Sequence, residues 1–124
     1  MNIQGILVSE VVDLTSLKDF FASDKDALTQ IIQVYISDTE PRINTLEESL
    51  QTVDYPTIKS ISHFLKSSFG LMGIKCTNEI AALEKMADNR ESEEIIKERL
   101  AYIIPICRES IVEYKRILAE LEAA

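Results

Sequence analysis

Proline and glycine are scarce in this chain: its 124 residues contain three of each. A fold of many short strands needs turn residues more often than that, so the shortage excludes an all-β architecture and favours long helices. Cysteine is limited to Cys76 and Cys107, and histidine to His63. Without a C-x-x-C spacing or a second histidine there is no ligand set for a zinc site, so no metal is expected in the chain. The apolar settings of both cysteines read as small buried hydrophobes. No stretch approaches the roughly 18 uninterrupted apolar residues of a membrane helix. Met1 to Val8 lacks the basic region and apolar run of a signal peptide, and a cytoplasmic, reduced setting is expected. Basic residues are outnumbered 13 to 21, for a net charge of −8. Nucleic acid is therefore not an expected partner, because phosphate-backbone binding needs concentrated Lys and Arg. A glycine-rich phosphate loop is also missing.

Hydrophobic residues make up 46% of the chain and charged residues 27%, a globular composition. The length suits one domain over 1–124, with an N-terminal capping segment at 1–22 and a helical bundle at 24–122. A short helix is expected around Ser16 to Ala22, capped by Asp13 or Thr15. Ser23-Asp24 then starts a helix to about Ser37, with Leu28, Ile31, Ile32 and Tyr35 inward. Asp38-Thr39-Glu40-Pro41 reads as a break and restart, since proline is tolerated in a first turn but not in a helix interior. A helix from Pro41 to Thr52 follows, then one from Pro56 to Met72 stopped by Gly73, and one from Thr77 to Ala87. The last spans about Ser92 to Leu121, kinked at Pro105, with core candidates that include Ile95, Ile96, Leu100, Ile103, Ile104, Ile111, Tyr114, Leu118 and Leu121. The tyrosines read as amphipathic residues at the core edge. The expected fold is all-α: an antiparallel up-down four-helix bundle with one or two short additional N-terminal helices.

The single histidine falls on the polar side of its helix. At about 100° per residue, Ile58, Ile61, Leu65, Phe69 and Met72 share an arc of roughly 80°, and His63 lies about 160° from its middle. Its helical neighbours are Lys59, Ser60, Lys66 and Ser67, with Gly70 a turn beyond. Small and basic residues leave the imidazole uncovered and place positive charge beside it. Phe64 and Leu71 fall on one shoulder of this face, where they either pack on a neighbouring helix or line a docking patch together with Lys59.

His63-Phe64-Leu65-Lys66-Ser67-Ser68, followed by Gly73, resembles the H-x-L-K-G-S…G motif of histidine-containing phosphotransfer (HPt) domains, the helix-bundle modules of multistep two-component phosphorelays. Asp13-Leu14, Tyr35 to Thr39 and the acidic-apolar segment Ile80 to Glu84 also fall where that family has similar segments. The resemblance implies that His63 is the phosphorylated residue and that Lys66 lies beside the phosphoryl group. It also matches Ser68 to the small polar position and Gly73 to the closing glycine. Ser67 departs from the usual glycine; it is still small, and its hydroxyl is able to bond a phosphoryl oxygen. The partners implied are the receiver domains of a hybrid sensor histidine kinase and of a response regulator. Those domains would bring the Mg²⁺, and this chain would need no cofactor and have no ATP-dependent kinase activity of its own. A monomer is expected.

The chemistry suits these residue types. Imidazole, with an unperturbed pKa of about 6.5, is a good nucleophile near neutrality, and a lysine at i+3 offsets part of the charge the phosphoryl group adds. The rival reading is a helical adaptor that docks receivers or kinases without transfer; the His63-Lys66 pair speaks against it. A hydrolase lacks a complete catalytic constellation.

Overall fold

The computed structural model describes residues 3–124, which form six helices and, among the described residues, no strand. These are α1 (Ile3–Ile6), α2 (Thr15–Phe21), α3 (Lys25–Glu48), α4 (Tyr55–Met72), α5 (Thr77–Asp88) and α6 (Glu93–Ala123). Side-chain caps set three of the starts. Asp24 Oδ1 accepts the Ala27 amide at 3.0 Å, Asp54 Oδ1 accepts that of Thr57 at 3.2 Å, and Ser92 Oγ accepts that of Ile95 at 3.4 Å. Asp13 Oδ1 accepts both the amide and the hydroxyl of Thr15 at the head of α2. The α4 histidine helix packs most extensively on α5, and α3 on α6, with lighter α3–α4 and α5–α6 contacts closing the bundle. The intervening connections, 49–54, 73–76 and 89–92, are short, as antiparallel neighbours require. α1 packs on α6, while α2 lies against α3 and α4.

The break expected at Asp38 to Pro41 does not occur: α3 runs unbroken from Lys25 to Glu48 with Pro41 inside it. Its buried stripe continues through Tyr35, Thr39, Ile43 and Leu46 without a change of phase. Pro41 is exposed, and so is Ser37, whose carbonyl loses its amide partner to the proline. Packing along the stripe thus outweighs the roughly 3 kcal/mol that an interior proline costs. Pro105 likewise sits within a single continuous α6. Ile95, expected in the core, is 46% exposed, because the stripe of α6 runs through Ile96, Leu100, Ile103, Ile104 and Cys107 instead. Tyr35 and Tyr114 are fully inside, as the stripes of their helices predict, and are not at the core edge expected of the tyrosines in general. Their hydroxyls are satisfied there, Tyr35 with Ser110 Oγ at 2.8 Å and Tyr114 by donating to the Met72 carbonyl. Burial pushes both phenols well above their ordinary pKa. Cys76 and Cys107 are free and buried, as their surroundings implied, and their Sγ atoms lie 3.9 Å apart.

The end of α4 is fixed by Gly73. Its φ of 67° is left-handed, and the Ile74 amide returns to the Phe69 carbonyl at 3.0 Å, closing the helix in a glycine cap. The segment before α2 crosses this point, with the Asp13 amide donating to the Gly73 carbonyl at 2.9 Å. A Cβ on residue 73 would lie 1.8 Å from the Asp13 carbonyl oxygen. Gly70 is different: a Cβ there meets nothing within 4 Å. Gly73→Ala should therefore destabilise the fold by about 2–4 kcal/mol, and Gly70→Ala should stabilise it by about 0.5–1 kcal/mol. Urea denaturation of both variants checks this, and equal midpoints would show that the Asp13 crossing does not constrain the helix end.

Candidate functional site

α4 presents His63 on the side away from its buried stripe of Ile58, Ile61, Leu65, Phe69 and Met72. The imidazole is 71% exposed, in agreement with the helical phase read from the sequence. It is nevertheless held in place. Its Nδ1 lies 2.7 Å from Oε2 of Glu84, which reaches across from α5. The other oxygen of the same carboxylate, Oε1, accepts from Lys66 Nζ at 2.8 Å. Glu84 is only 16% exposed, between a lysine 42% exposed and the open histidine. The bonds from Lys66 and His63 hold its carboxyl below the ordinary carboxylate range, so it is ionised at neutral pH. An ionised carboxylate accepts only, so Nδ1 carries the hydrogen of the shared bond. Nε2 has no partner among the described residues and carries the lone pair in the neutral ring.

The remaining residues singled out from the sequence fall around this centre. Lys59, one turn before His63, pairs with Asp88 on α5 at 2.8 Å, and that carboxylate raises the lysine's pKa. Pro56, Lys59, Ser60, His63 and Glu84 line a shallow open depression. Ser67 is exposed. Ser68 donates to the Leu65 carbonyl of its own helix at 3.2 Å. Gly70 is exposed, and Gly73 sits three residues beyond it at the helix end. Phe64, 42% exposed, and half-buried Leu71 join Ile31 and Val34 of α3 and Ser68 in a groove between α3 and α4. Phe64 thus packs on the neighbouring helix and also faces outward.

Two residues of this surface carry no role in the sequence reading. Glu84 is the first. Its signal was present: it falls four residues after Ile80 and three before Ala87, so it is an acid bordering the apolar stripe of α5. Arg42 is the second. Its guanidinium carbon lies 3.6 Å from the centroid of the Phe64 ring. Nothing in the α3 sequence marks that contact, which depends on how α3 and α4 are packed.

Among the described residues no group of three or more His, Cys, Asp or Glu is arranged to hold a metal ion, and no helix is long and apolar enough to cross a membrane. A family model described as "Hpt domain" matches residues 30–124. No curated protein and no solved structure matched the chain.

The Glu84 bonds carry a pH signature. Because the folded pKa of Glu84 lies below that of the unfolded chain, its stabilising contribution is complete above the ordinary carboxylate range. It is lost as pH falls through the depressed folded value. Wild type and Glu84→Gln should differ in urea midpoint at pH 7 and converge only below about pH 4. A gap that stays constant with pH would show that the ionised carboxylate is not what matters.

Proposed function

From the chain's membership of the Hpt domain family, whose modules carry out histidine phosphotransfer in two-component signalling, we propose that His63 accepts a phosphoryl group from a receiver-domain aspartate and passes it to another. The observation that carries this reading is the state of the His63 ring: exposed, anchored through Nδ1 to Glu84, with Nε2 open to a partner.

The transfer follows from that geometry. The Nε2 lone pair forms a bond to phosphorus while the bond from phosphorus to the aspartyl oxygen breaks, returning a carboxylate to the donor. The proton on Nδ1 remains, so the phosphorylated ring is cationic and the Glu84 carboxylate balances it. A cationic ring is the better leaving group for the onward step, so the same hydrogen bond serves both directions. Lys66, already within one turn, offsets part of the roughly two negative charges of the phosphoryl group. Its exposure limits that contribution to about 1 kcal/mol. Mg²⁺ and most of the transition-state stabilisation belong to the receiver. This chain contributes position, and has no kinase activity of its own in this reading. Phe64 and Leu71 supply apolar ground for docking beside the histidine, Lys59 a charge at its edge, and Gly70 clearance for the partner's backbone.

The test is to mix the protein with an aspartyl-phosphorylated receiver domain and Mg²⁺ and look for acid-labile, base-stable phosphate on the chain. The wild type should be labelled and His63→Gln should not. Lys66→Ala should transfer up to about fivefold more slowly or lose phosphate correspondingly faster. Glu84→Gln should be slower by roughly tenfold, having lost a charge-assisted bond. Equal labelling of His63→Gln would reject the mechanism, and docking without labelling of the wild type would leave the adaptor reading in its place.

A further inference from the structure

Three cations border the histidine face, and two already have acidic partners: Lys59 is paired with Asp88 and Lys66 with Glu84. Arg42 has none among the described residues. Its one hydrogen bond runs from Nη1 to the Asp38 carbonyl at 2.6 Å, and its guanidinium carbon lies 3.6 Å from the Phe64 centroid. The arginine is therefore held in two ways, by a main-chain oxygen of α3 and by the aromatic face on α4. Four of its five N–H donors have no hydrogen-bond partner among the described residues. Acids outnumber bases 21 to 13 here, and Arg108, Lys115 and Arg116 all pair with glutamates. Arg90 also lies over a ring, that of Tyr55 at 5.5 Å; what sets Arg42 apart is its closer stacking, at 3.6 Å, on the exposed Phe64 beside the reactive histidine.

The geometry points to Arg42, presented on Phe64, as a partner-selecting contact that takes a carboxylate on the docking surface of the receiver domain. The inference rests on the phosphorelay reading and adds to it the residue that discriminates among receivers. Guanidinium fits such a role because its planar fork binds carboxylate oxygens in pairs, and stacking fixes the fork before the partner arrives, so little side-chain freedom is lost on docking. The groove beside it is lined mainly by uncharged side chains, Ile31, Val34 and Leu71 among them, with Asp38 its charged residue, and apolar area by itself discriminates little. A single unpaired cation at its border supplies the discrimination, because receivers with a carboxylate opposite gain a charge-assisted bond while those with a basic residue there are repelled. Arg42 touches no reacting atom in this account. It acts on encounter and residence rather than on the chemical step.

The test uses the full chain and a panel of isolated receiver domains, each phosphorylated with acetyl phosphate in Mg²⁺. Phosphoramidate, a small donor that needs no docking surface, reports the reactivity of His63 alone. Arg42→Ala should raise the receiver concentration for half-maximal transfer about fivefold for the receivers that label the wild type best, with the maximal rate and phosphoramidate labelling unchanged. Arg42→Glu should raise it further and reorder the panel. Arg42→Lys should recover the charge but only part of the selectivity. Added salt should weaken wild-type transfer more steeply than that of Arg42→Ala. Half-saturation, panel order and salt slope all unchanged in Arg42→Glu would overturn the assignment while leaving the phosphorelay reading intact. Failure of every receiver to label the wild type, with phosphoramidate still labelling it, would overturn the phosphorelay reading and this inference with it.

Discussion

The contact of Gly73 with the Asp13 backbone governs where the histidine helix ends, and the site depends on that end. α4 stops in a left-handed residue that only glycine occupies cheaply, and the chain before α2 crosses so closely that a side chain has no room. The turn that follows is three residues long before Thr77 opens α5, so the helix end sets where α5 begins and how it lies along α4. Glu84 sits two turns into α5. Its reach to both His63 and Lys66 is therefore fixed by a backbone approach ten residues from the histidine. The same corner is tied from behind, by the Tyr114 hydroxyl on the Met72 carbonyl and the Lys75 ammonium on the Glu10 carbonyl. The N-terminal segment, all of it before the residues matched by the family model, thus belongs to the structure that holds the histidine helix.

The helical fold, the helix start at Ser23-Asp24, the helix stop at Gly73 and the exposure of His63 were legible in the sequence because each rests on local chemistry or on the phase of one stripe. The readings that failed rest on tertiary balance. Pro41 looks like a boundary from its own chemistry, yet the stripe from Tyr35 to Leu46 continues through it because α6 covers that face. Ile95 looks inward by composition, but at the first turn of α6 the stripe is carried by Ile96. The burial of Tyr35 and Tyr114 was legible in their stripes, but the partners of their hydroxyls, Ser110 and the Met72 carbonyl, lie 75 and 42 residues away and were not. The histidine was legible while the carboxylate that orients it was not: His63 stands out by being single, whereas Glu84 is one of 21 acids and is distinguished only by its place at the edge of an apolar stripe.

Charge is distributed with the same logic. The chain is strongly acidic as a whole, yet His63 is bordered by Lys59, Lys66 and Arg42. Two of these are held by acids from α5, so the field at the imidazole is far weaker than three free cations would give. Pairing lets lysines sit beside a nucleophile without permanently attracting anions from solution. A carboxylate shared between a lysine and an imidazole also ties two side chains of α4 to α5, which ordinary surface pairs, worth little each, would not do as definitely.

In the proposed relay the histidine faces opposing demands: it would have to be reachable by two different active sites, yet hold one orientation for in-line attack. Enclosure would satisfy the second at the cost of the first. Here one hydrogen bond, donated by Nδ1 to the mostly buried Glu84 carboxylate, restrains the imidazole on the side facing α5, and the opposite edge is left open. In the proposed relay the restraint is also chemical, since the proton that orients the ring is the one that keeps the phosphorylated ring cationic. Orientation and leaving-group quality then come from a single interaction and cannot be tuned separately. A stronger hold on Nδ1 would order the ring further, but by drawing that proton toward Glu84 it would lower the ring's positive charge and slow the onward step. The observed sharing of Glu84 with Lys66 limits how basic the carboxylate becomes, and thereby leaves the proton on the imidazole.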